Sequence, residues 1–370
     1  IKAETIGGAQ CVPTGGDNGI DVLSPRTDLT VEGIEFVGTA GTDGIHFAGA
    51  ITDLVIVDNY FHNLGGAGIF FAAQPAGVID IHGNMFKNNT GNGIEAGAFT
   101  VAAEYNSWGD YAGPAGTNGD GVSTGVDADP WTHVDLYMVS SGTPWADQVV
   151  AGQNITYTVY GNLRNVNAAD FTLLYPTGLT YVSHTAGTIF DANNVIQSTG
   201  SINFLGYNTQ FGLTETGTAQ ELFTVTFTAT ADSLLDLNEL SDGFGMPGVG
   251  SSSNVFADAL IDKTVNVIDL PTLTSTDLPG YYLTGDLQEF HVTLTNPASG
   301  GNYSHALLNF RVTGAALADI ASFQYLSGGN WYDMPLAADG ADLVGYFGPV
   351  AGFPVGPSYS ATTTFRVNFN

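Results

Sequence analysis

The first residues that could do chemistry are carboxylates in a repeated β pattern. Asp21 and Glu95 fall in one outward column of that pattern, and glycosidases use a pair of carboxylates to cleave sugar polymers. The two lie three repeats apart, roughly 14 Å at about 4.8 Å per rung, whereas catalytic pairs stand about 5–9.5 Å apart. We therefore expect no catalytic residue and no enzyme.

A second set of carboxylates lies in a glycine-rich stretch: Asp110, Asp120, Asp127 and Asp129. Calcium prefers oxygen-only ligands, and loops of this kind also offer free main-chain carbonyls. These four residues are our candidate calcium site, and calcium is the only cofactor expected. The alternative is a solvated acidic turn without a bound ion.

Two tryptophans are candidates for carbohydrate binding. Trp131 follows a proline and Trp331 follows an asparagine, and an exposed indole can stack on a sugar ring. Bulky aromatic residues beside Pro and Gly in β proteins also serve as plugs of a core. Both roles stay open for Trp131 and Trp331.

The element that positions most of these residues is a repeat of about 25 residues. Its first column is Gly19-Ile20, Gly44-Ile45, Gly68-Ile69 and Gly93-Ile94; its other columns are Val31, Ile56 and Ile81, then Phe36, Phe61 and Phe86. Apolar residues alternate within each unit, which is strand periodicity, and a strand unit repeated at this length predicts a solenoid. We predict four turns of a parallel β-helix with these columns facing inward.

Two residue types are assigned to the corners of this repeat. We expect the recurring glycine to supply a conformation that a β-carbon would resist. We expect Asn59 and Asn84 to hydrogen-bond the backbone at the next corner.

The end of the repeat carries a resemblance. The segments Asn106-Ser-Trp108-Gly-Asp, Gly113-Pro114 and Pro130-Trp131 follow in order. Together with the repeat they resemble the right-handed parallel β-helices of the pectate-lyase-like superfamily, over about the first third of the chain. The resemblance implies a fold for residues 1–134 and says little about activity.

A different pattern covers residues 135–268. Alternating strands surround Asp170-Phe-Thr-Leu-Leu-Tyr175-Pro176, and Glu221-Leu-Phe-Thr-Val-Thr-Phe227 is another alternating strand. This order is similar to the cohesin and carbohydrate-binding-module type of β-sandwich. The usual Tyr-Asp-Pro of cohesins stands here as Tyr175-Pro176, without the aspartate.

Residues 269–370 resemble the Ig-like modules of bacterial surface proteins. The module ends at Thr364-Phe-Arg-Val-Asn-Phe369 and, on this resemblance, lacks its last strand. The expected fold class is therefore all-β: a short right-handed parallel β-helix followed by two β-sandwich domains, one cohesin-like and one Ig-like.

Both ends of the chain offer surfaces for assembly. The expected interface residues are Ile1, Ile6 and Ile20 at the first solenoid turn and Phe365, Val367 and Phe369 in the last strand. Subunits would join head to tail by strand complementation or by β-helix stacking. The alternatives are a segment of a longer surface protein and a complete monomer.

Composition limits the functional classes. The chain has 36 Asp plus Glu against 7 Lys plus Arg, a formal charge of −29, so we expect neither nucleic-acid binding nor attraction to anionic membranes. A single cysteine excludes an internal disulfide, and no apolar run predicts membrane insertion.

We expect a secreted structural or assembly protein of a prokaryotic cell surface or extracellular filament, with itself as partner. The alternatives are a polysaccharide-binding or polysaccharide-degrading β-helix and a cohesin-like docking module of an adhesin.

Overall fold

The computed structural model shows an all-β chain. It describes residues 1–3, 9–13, 16–38, 42–141, 147–208, 214–215, 217–245, 257–275, 277, 285, 287–301, 303–306, 308–313, 315–347 and 353–370. The chain forms two compact units: unit 1 contains Ile1–Asp147, Asn154–Thr228 and Asp232–Val265, and unit 2 contains Gln148–Gln153, Ala229–Ala231 and Asn266–Asn370. No helix among the described residues has the length and apolarity that crossing a membrane requires.

Unit 1 begins with a parallel β-solenoid. Its strands are β1 (Ala9–Cys11), β2 (Ile20–Val22), β3 (Arg26–Glu32), β4 (Ile34–Val37), β5 (Ile45–Phe47), β6 (Ile51–Val57), β7 (Tyr60–His62), β8 (Ile69–Phe71), β9 (Ala76–His82), β10 (Met85–Lys87), β11 (Ile94–Glu95), β12 (Val101–Ala102) and β13 (Val126–Asp127), with a 3-10 turn at Gly113–Ala115. They form three parallel faces, in the orders β1-β4-β7-β10, β2-β5-β8-β11 and β3-β6-β9, and β12 pairs with β13. Bridges from Met85 to Ser107 and from Ser107 to Thr132 continue the first face beyond the four predicted turns.

The predicted inward columns are confirmed by the register. Ile20, Ile45, Ile69 and Ile94 pair in succession, as do Val31, Ile56 and Ile81. The phenylalanine column forms a stack of nearly parallel rings: the centroids of Phe36 and Phe61 lie 4.7 Å apart and those of Phe61 and Phe86 lie 5.0 Å apart. Stacking of turns at the β spacing thus builds one continuous core that a single turn lacks.

The glycine column has a different cause from the one predicted. The backbone of Gly44 and Gly68 is not in the left-handed region, so the expected corner conformation is wrong. A β-carbon on Gly68 would lie 2.6 Å from the carbonyl oxygen of Gly93 and 2.7 Å from the ring of Phe86. Glycine is needed there because the next turn and its aromatic ring leave no room. Left-handed corners are instead occupied by residues such as Asp53 and Asn63.

The predicted asparagine corners are confirmed. The main-chain amide of Asn59 donates to Oδ1 of Asn84 at 3.0 Å, and the amide of Asn84 donates to Oδ1 of Asn106 at 2.9 Å. The Nδ2 of Asn84 donates in turn to the carbonyl of Ile56 at 2.8 Å. All three asparagines are buried, so the ladder satisfies polar backbone groups that water does not reach.

A largely antiparallel β-sandwich follows the solenoid. Its strands are β14 (His133–Ser140), β15 (Gln148–Val150), β16 (Asn154–Val166), β17 (Ala168–Leu174), β18 (Leu179–Ala186), β19 (Ala192–Ser198), β20 (Ser201–Tyr207), β21 (Thr214–Glu215), β22 (Gln220–Ala229), β23 (Ser233–Gly245), β24 (Ala259–Ile261) and β25 (Lys263–Ile268). One sheet has the order β18-β22-β16-β14-β24 with β21 beside β16, and the other runs β25-β23-β17-β20-β19. β24 pairs in parallel with β14. β15 pairs in parallel with the second half of β25 and belongs with it to unit 2. Buried phenylalanines such as Phe171, Phe204 and Phe223 fill the space between the sheets.

Unit 2 contains most of the C-terminal strands. They are β26 (Thr272–Thr274), β27 (Leu287–Thr295), β28 (Tyr303–Ala306), β29 (Leu308–Thr313), β30 (Ile320–Ser327), β31 (Asn330–Asp333), β32 (Leu336–Asp339), β33 (Asp342–Phe347), β34 (Phe353–Val355) and β35 (Ser360–Phe369), with a 3-10 turn at Leu317–Asp319. The sheets have the orders β26-β27-β35-β30-β31, β29-β33-β32 and β28-β34. The predicted all-β class, a β-helix followed by sandwiches, is confirmed; the predicted boundaries at 134/135 and 268/269 stay predictions.

The last strand corrects one expectation. β35 is a central strand, paired with β27 on one side and with β30 on the other. Phe365 is fully buried and Val367 is nearly so, and Phe369 packs against the same core cluster. A second chain cannot add a strand beside residues 365–369, because β27, β30 and the amide of Gly285 occupy both hydrogen-bonding edges there. These residues are therefore not the strand-addition interface that was predicted.

Candidate functional site

The outward face of β20 carries large apolar side chains. Along this strand Phe204 is buried, whereas Leu205 and Tyr207 are 36% and 47% exposed. Ile196 on the neighbouring β19 is 48% exposed, and it pairs with Asn203, which places it diagonal to Leu205. Diagonal neighbours on one face of a sheet are close enough for side chains of this size to share a surface.

A fixed polar pair borders this apolar surface. Nδ2 of Asn203 donates to Oδ1 of Asp170 at 3.0 Å, and Asp170 on β17 pairs with Leu205. The arrangement combines apolar area with an oriented amide and carboxylate, which is the chemistry of a protein-recognition surface. We define the β20 face as Ile196, Leu205, Tyr207, Asp170 and Asn203.

Asp258 ties the solenoid to the sandwich that carries the β20 face. It is 3% exposed, and its Oδ2 accepts from the amide of Val134 at 2.8 Å. Its Oδ1 accepts a hydrogen bond from Oγ of Ser107, and its main-chain carbonyl accepts one from Nζ of Lys87. One residue thus joins two solenoid positions to the first strand of the sandwich.

His133 lies between two carboxylates at the same contact of the solenoid with the sandwich. We call this contact, formed by Lys87, Ser107, His133, Val134 and Asp258, the joint. Its Nε2 is 2.7 Å from Oδ2 of Asp135, and its Nδ1 is 3.0 Å from Oδ2 of Asp258. Burial lowers the pKa of His133, but hydrogen bonds and charges of the two aspartates outweigh it and raise the pKa to about 9. The imidazolium is therefore the resident form at neutral pH.

This Ser, His and Asp group is not arranged for nucleophilic catalysis. Oγ of Ser107 donates to Asp258, whereas a nucleophile would have to donate to the histidine. Nε2 of His133 is already engaged by Asp135, and Ser107, His133 and Asp258 are all almost fully buried. The group holds the joint together.

The loop that closes the solenoid completes the joint. Nε1 of Trp131 donates to the carbonyl of Tyr111 at 3.0 Å, and the guanidinium of Arg164 lies 4.1 Å from the centre of the Trp131 ring. Nδ2 of Asn165 donates to the carbonyl of Trp131 at 2.6 Å. One face of this indole is covered by a cation of the sandwich, which favours the plug role over sugar stacking.

Trp331 has a similar environment in unit 2. The guanidinium of Arg366 lies 4.0 Å from the centre of its ring, and Nε of Arg366 donates to Oε1 of Gln324 at 2.7 Å. Sugar binding at Trp131 or Trp331 stays a prediction, with one face of each ring already in contact with an arginine.

The four predicted calcium ligands are not gathered around one point. Asp110 accepts hydrogen bonds from main-chain amides of its own loop, Asp120 is buried and accepts from Asn89, and Asp127 and Asp129 are exposed. Across the described ranges there is no group of three or more His, Cys, Asp or Glu side chains placed to hold a metal ion. The geometry lends the calcium prediction no support.

The predicted assembly residues at the N-terminal end have separate environments. The ammonium group of Ile1 donates to the carbonyl of Thr30 at 2.7 Å, and the Ile1 side chain is 63% exposed. Ile20 pairs with Ile45 and is partly buried. Ile6 lies outside the described residues.

Neither the β20 face nor the joint was predicted from the sequence. A signal for the face was present in the sequence. β20 has large apolar residues on both faces of the strand, with Phe204 facing inward and Leu205 facing outward. The joint gave no such signal: His133 and Asp258 are far apart in the chain, and nothing near either residue predicts their contact.

Comparison with known proteins shows what the sandwich is similar to. The family model described as the cohesin domain matches residues 146–267, which include the whole β20 face. The resemblance to cohesins stated from the sequence is thereby confirmed for this part of the chain. A search of curated proteins returned no match.

Solved structures with similarity to this chain include three cohesins. A non-cellulosomal cohesin from Archaeoglobus fulgidus is 19% identical, over 36% of this chain and 88% of its own, with a TM-score of 0.26. The seventh ScaB type I cohesin from Pseudobacteroides cellulosolvens is 17% identical, over 37% and 92%, with a TM-score of 0.26. The sixth scaffoldin B cohesin from Acetivibrio cellulolyticus, solved in complex with a mutant Cel5 dockerin, is 15% identical, over 37% and 98%, with a TM-score of 0.26.

Proposed function

We propose that this chain is a non-catalytic docking protein of the prokaryotic exterior, whose sandwich binds a dockerin-type protein module through the β20 face. The observation that supports this most is the exposure of Ile196, Leu205 and Tyr207 on one sheet face within the cohesin-matched residues. Exposed apolar side chains grouped on an otherwise polar face are typical of interaction sites.

The charges of the chain set the chemistry of the partner. The net charge is −29, and Asp170 lies within the β20 face itself. An apolar partner surface bordered by Lys or Arg would gain from both the apolar contact and the surrounding field, while an acidic one would be repelled. The expected partner is therefore neutral or basic at its contact surface.

The test is a calorimetric titration of the full chain with recombinant dockerin modules encoded in the same genome. Leu205→Asp places a charge at the centre of the face and should weaken binding by about a hundredfold or more, as at an interface hot spot. Val182→Asp is the matched control, because Val182 is 46% exposed on the opposite sheet. Equal loss in both variants, or no binding of any module, would refute the proposal.

Assembly of the chain with itself is the second candidate. Among the described residues β1 and β2 each stand at the end of a sheet with a strand neighbour on one side, whereas the outer side of β3 is partly covered by residues 1–3, which bond to Thr30 and Glu32. Leu23 in the same turn is 76% exposed. The other end of the solenoid continues into β14, so two first turns would have to meet each other. Light scattering of the full chain across a concentration series tests this, and Leu23→Glu should then yield monomers.

Polysaccharide binding and a bound calcium ion are weaker candidates. No observation on the described residues favours either over docking. Affinity electrophoresis of the full chain in pectin and alginate gels would reveal the first as a retarded band.

A further inference from the structure

The joint between solenoid and sandwich contains a histidine whose two ring nitrogens both meet carboxylates. Nε2 of His133 shares a hydrogen bond of 2.7 Å with Asp135, whereas Nδ1 lies 3.0 Å from Asp258 in an ion-pair contact that is not aligned as a hydrogen bond. A neutral imidazole has one N–H and one lone pair, whereas an imidazolium has two N–H groups. Only the protonated ring can therefore face both carboxylates favourably.

From this geometry we propose that the joint is a protonation latch: it is closed while His133 is an imidazolium and opens when that ring loses its proton. A neutral ring would present a lone pair to one of the two aspartates. With Asp258 only 3% exposed, its carboxylate would then be a buried charge that has lost its cationic partner.

Asp258 converts this local loss into loosening of the joint. Its side chain accepts from Ser107 of the solenoid and from the amide of Val134 in β14, and its own amide donates to the carbonyl of Val134 at 2.7 Å. Its carbonyl also accepts from Lys87 of the solenoid. Displacement of Asp258 therefore breaks the connections on both sides at once.

Two tyrosines and an arginine surround the latch. Tyr111 meets the His133 ring edge to face at 5.5 Å, and Arg164 pairs with His133 in the sheet while its guanidinium lies 5.4 Å from the Tyr111 ring. Tyr60 is close enough for Asp258 to help raise its pKa, after the larger effect of burial, to about 12. Tyr60 thus stays neutral while His133 titrates, because a tyrosine is uncharged below its pKa.

The pH range follows from the sign of the shift. The pKa of His133 is about 9 in the folded chain against 6.5 for an unperturbed histidine. The latch contributes its full stabilisation below pH 6.5 and loses it as the pH rises through about 9. At neutral pH the solenoid and the sandwich are held together, and under alkaline conditions the orientation of the β20 face relative to the solenoid becomes free.

The test is hydrogen exchange of the full chain from pH 7 to 10, with each rate divided by the intrinsic rate at that pH. Protection of the amides of Val134 and Asp258 should fall by about tenfold or more with a midpoint near pH 9, while Asn84 in the solenoid and Val159 in the sandwich stay protected. Protection that is flat across this range would overturn the proposal.

Variants separate the latch from a general alkaline effect. A glutamine in place of His133 (His133→Gln) cannot carry a positive charge. The protection of the Val134 and Asp258 amides should therefore be low at every pH, and its fall near pH 9 should disappear. Asp135→Asn alters a residue that is one-third exposed, and it should keep the fold while moving the midpoint down by about one pH unit. His291→Gln, a histidine beside Asp277 in unit 2, should leave the step unchanged. A step that persists in His133→Gln, or an unmoved midpoint in Asp135→Asn, would overturn the proposal.

Discussion

The indole of Trp108 stacks on the ring of Phe86, with the ring centres 4.9 Å apart and the planes 15° from parallel. It thereby extends the column of Phe36, Phe61 and Phe86, and it is fully buried. Among the residues that the structure describes, Nε1 of Trp108 meets no hydrogen-bond partner, and the observed contact of the indole is made by its flat face.

Trp108→Ala should lower the free energy of unfolding by about 3–5 kcal/mol, because it leaves a large cavity at the end of the ring column. Trp108→Phe keeps an aromatic face and removes the unpaired donor, so its loss should be less than half as large. Urea unfolding followed by far-UV circular dichroism measures both. Similar losses in the two variants would show that the column does not depend on the aromatic face.

Gly68→Ala should destabilise the chain strongly, although the backbone there has an ordinary conformation. The added carbon would lie 2.6 Å from the carbonyl of Gly93, which the adjacent turn cannot move cheaply. Gly97→Ala is the control: Gly97 has a φ of +60° and no atom within 4 Å of the new carbon, so we expect a loss of only about 1 kcal/mol. Melting temperatures would rank the two, and a larger loss for Gly97→Ala would contradict the close-approach explanation.

Asn84→Ala should remove one rung of the buried ladder. It leaves the amide of Asn59 and the carbonyl of Ile56 without these partners, at a cost of about 1–3 kcal/mol for each buried group. Asn84→Asp should fail as well, because a carboxylate cannot donate to Ile56. Asn194→Ala, at an exposed position, should be nearly neutral in the same denaturant titration. Full stability of Asn84→Asp would rule out the donor role.

Asp120 should make the free energy of unfolding of the chain depend on pH in the acidic range. Burial raises its pKa to about 6 from 3.8, although hydrogen bonds from Asn89 act in the opposite direction. The folded chain then binds the proton more tightly than the unfolded one, so stability falls as the pH rises from 3.8 to 6.

Asp120→Asn should remove that step and leave a chain that is about 1–3 kcal/mol more stable than the wild type at pH 7. Unfolding titrations at pH 4 and pH 7 measure the difference. Asp127→Asn, at an exposed aspartate of the same loop, is the control and should change neither value. A wild-type-like pH step in Asp120→Asn would assign the effect to another group.

Salt should stabilise the whole chain. With a formal charge of −29, screening of self-repulsion should raise the melting temperature by several degrees as NaCl increases from about 0.05 M to about 1 M. Calcium chloride at equal ionic strength is the informative comparison. An additional increase with calcium would support the predicted ion site, whereas a melting temperature that falls with NaCl would contradict dominant self-repulsion.

The sequence by itself determined the register of the inward columns of the solenoid. Because β turns stack at one spacing, a period of about 25 residues assigns the partners of Ile45, Phe61 and Asn84 without any coordinates. The resemblance of the sandwich to cohesins was also readable, since alternation and the Asp170 to Pro176 segment are local features. The reason for the glycines was not readable, because a lack of room for a side chain and a left-handed backbone conformation both favour glycine.

Only the tertiary structure decided what lies beside the solenoid and at the last strand. Long-range pairing places β35 between β27 and β30, and a local pattern of alternation is the same for a central strand and an edge strand. The same limit hid the contact of His133 with Asp258, which joins distant segments through side chains alone. Periodicity records which face of a strand is buried, and it carries no information about which distant residue covers that face.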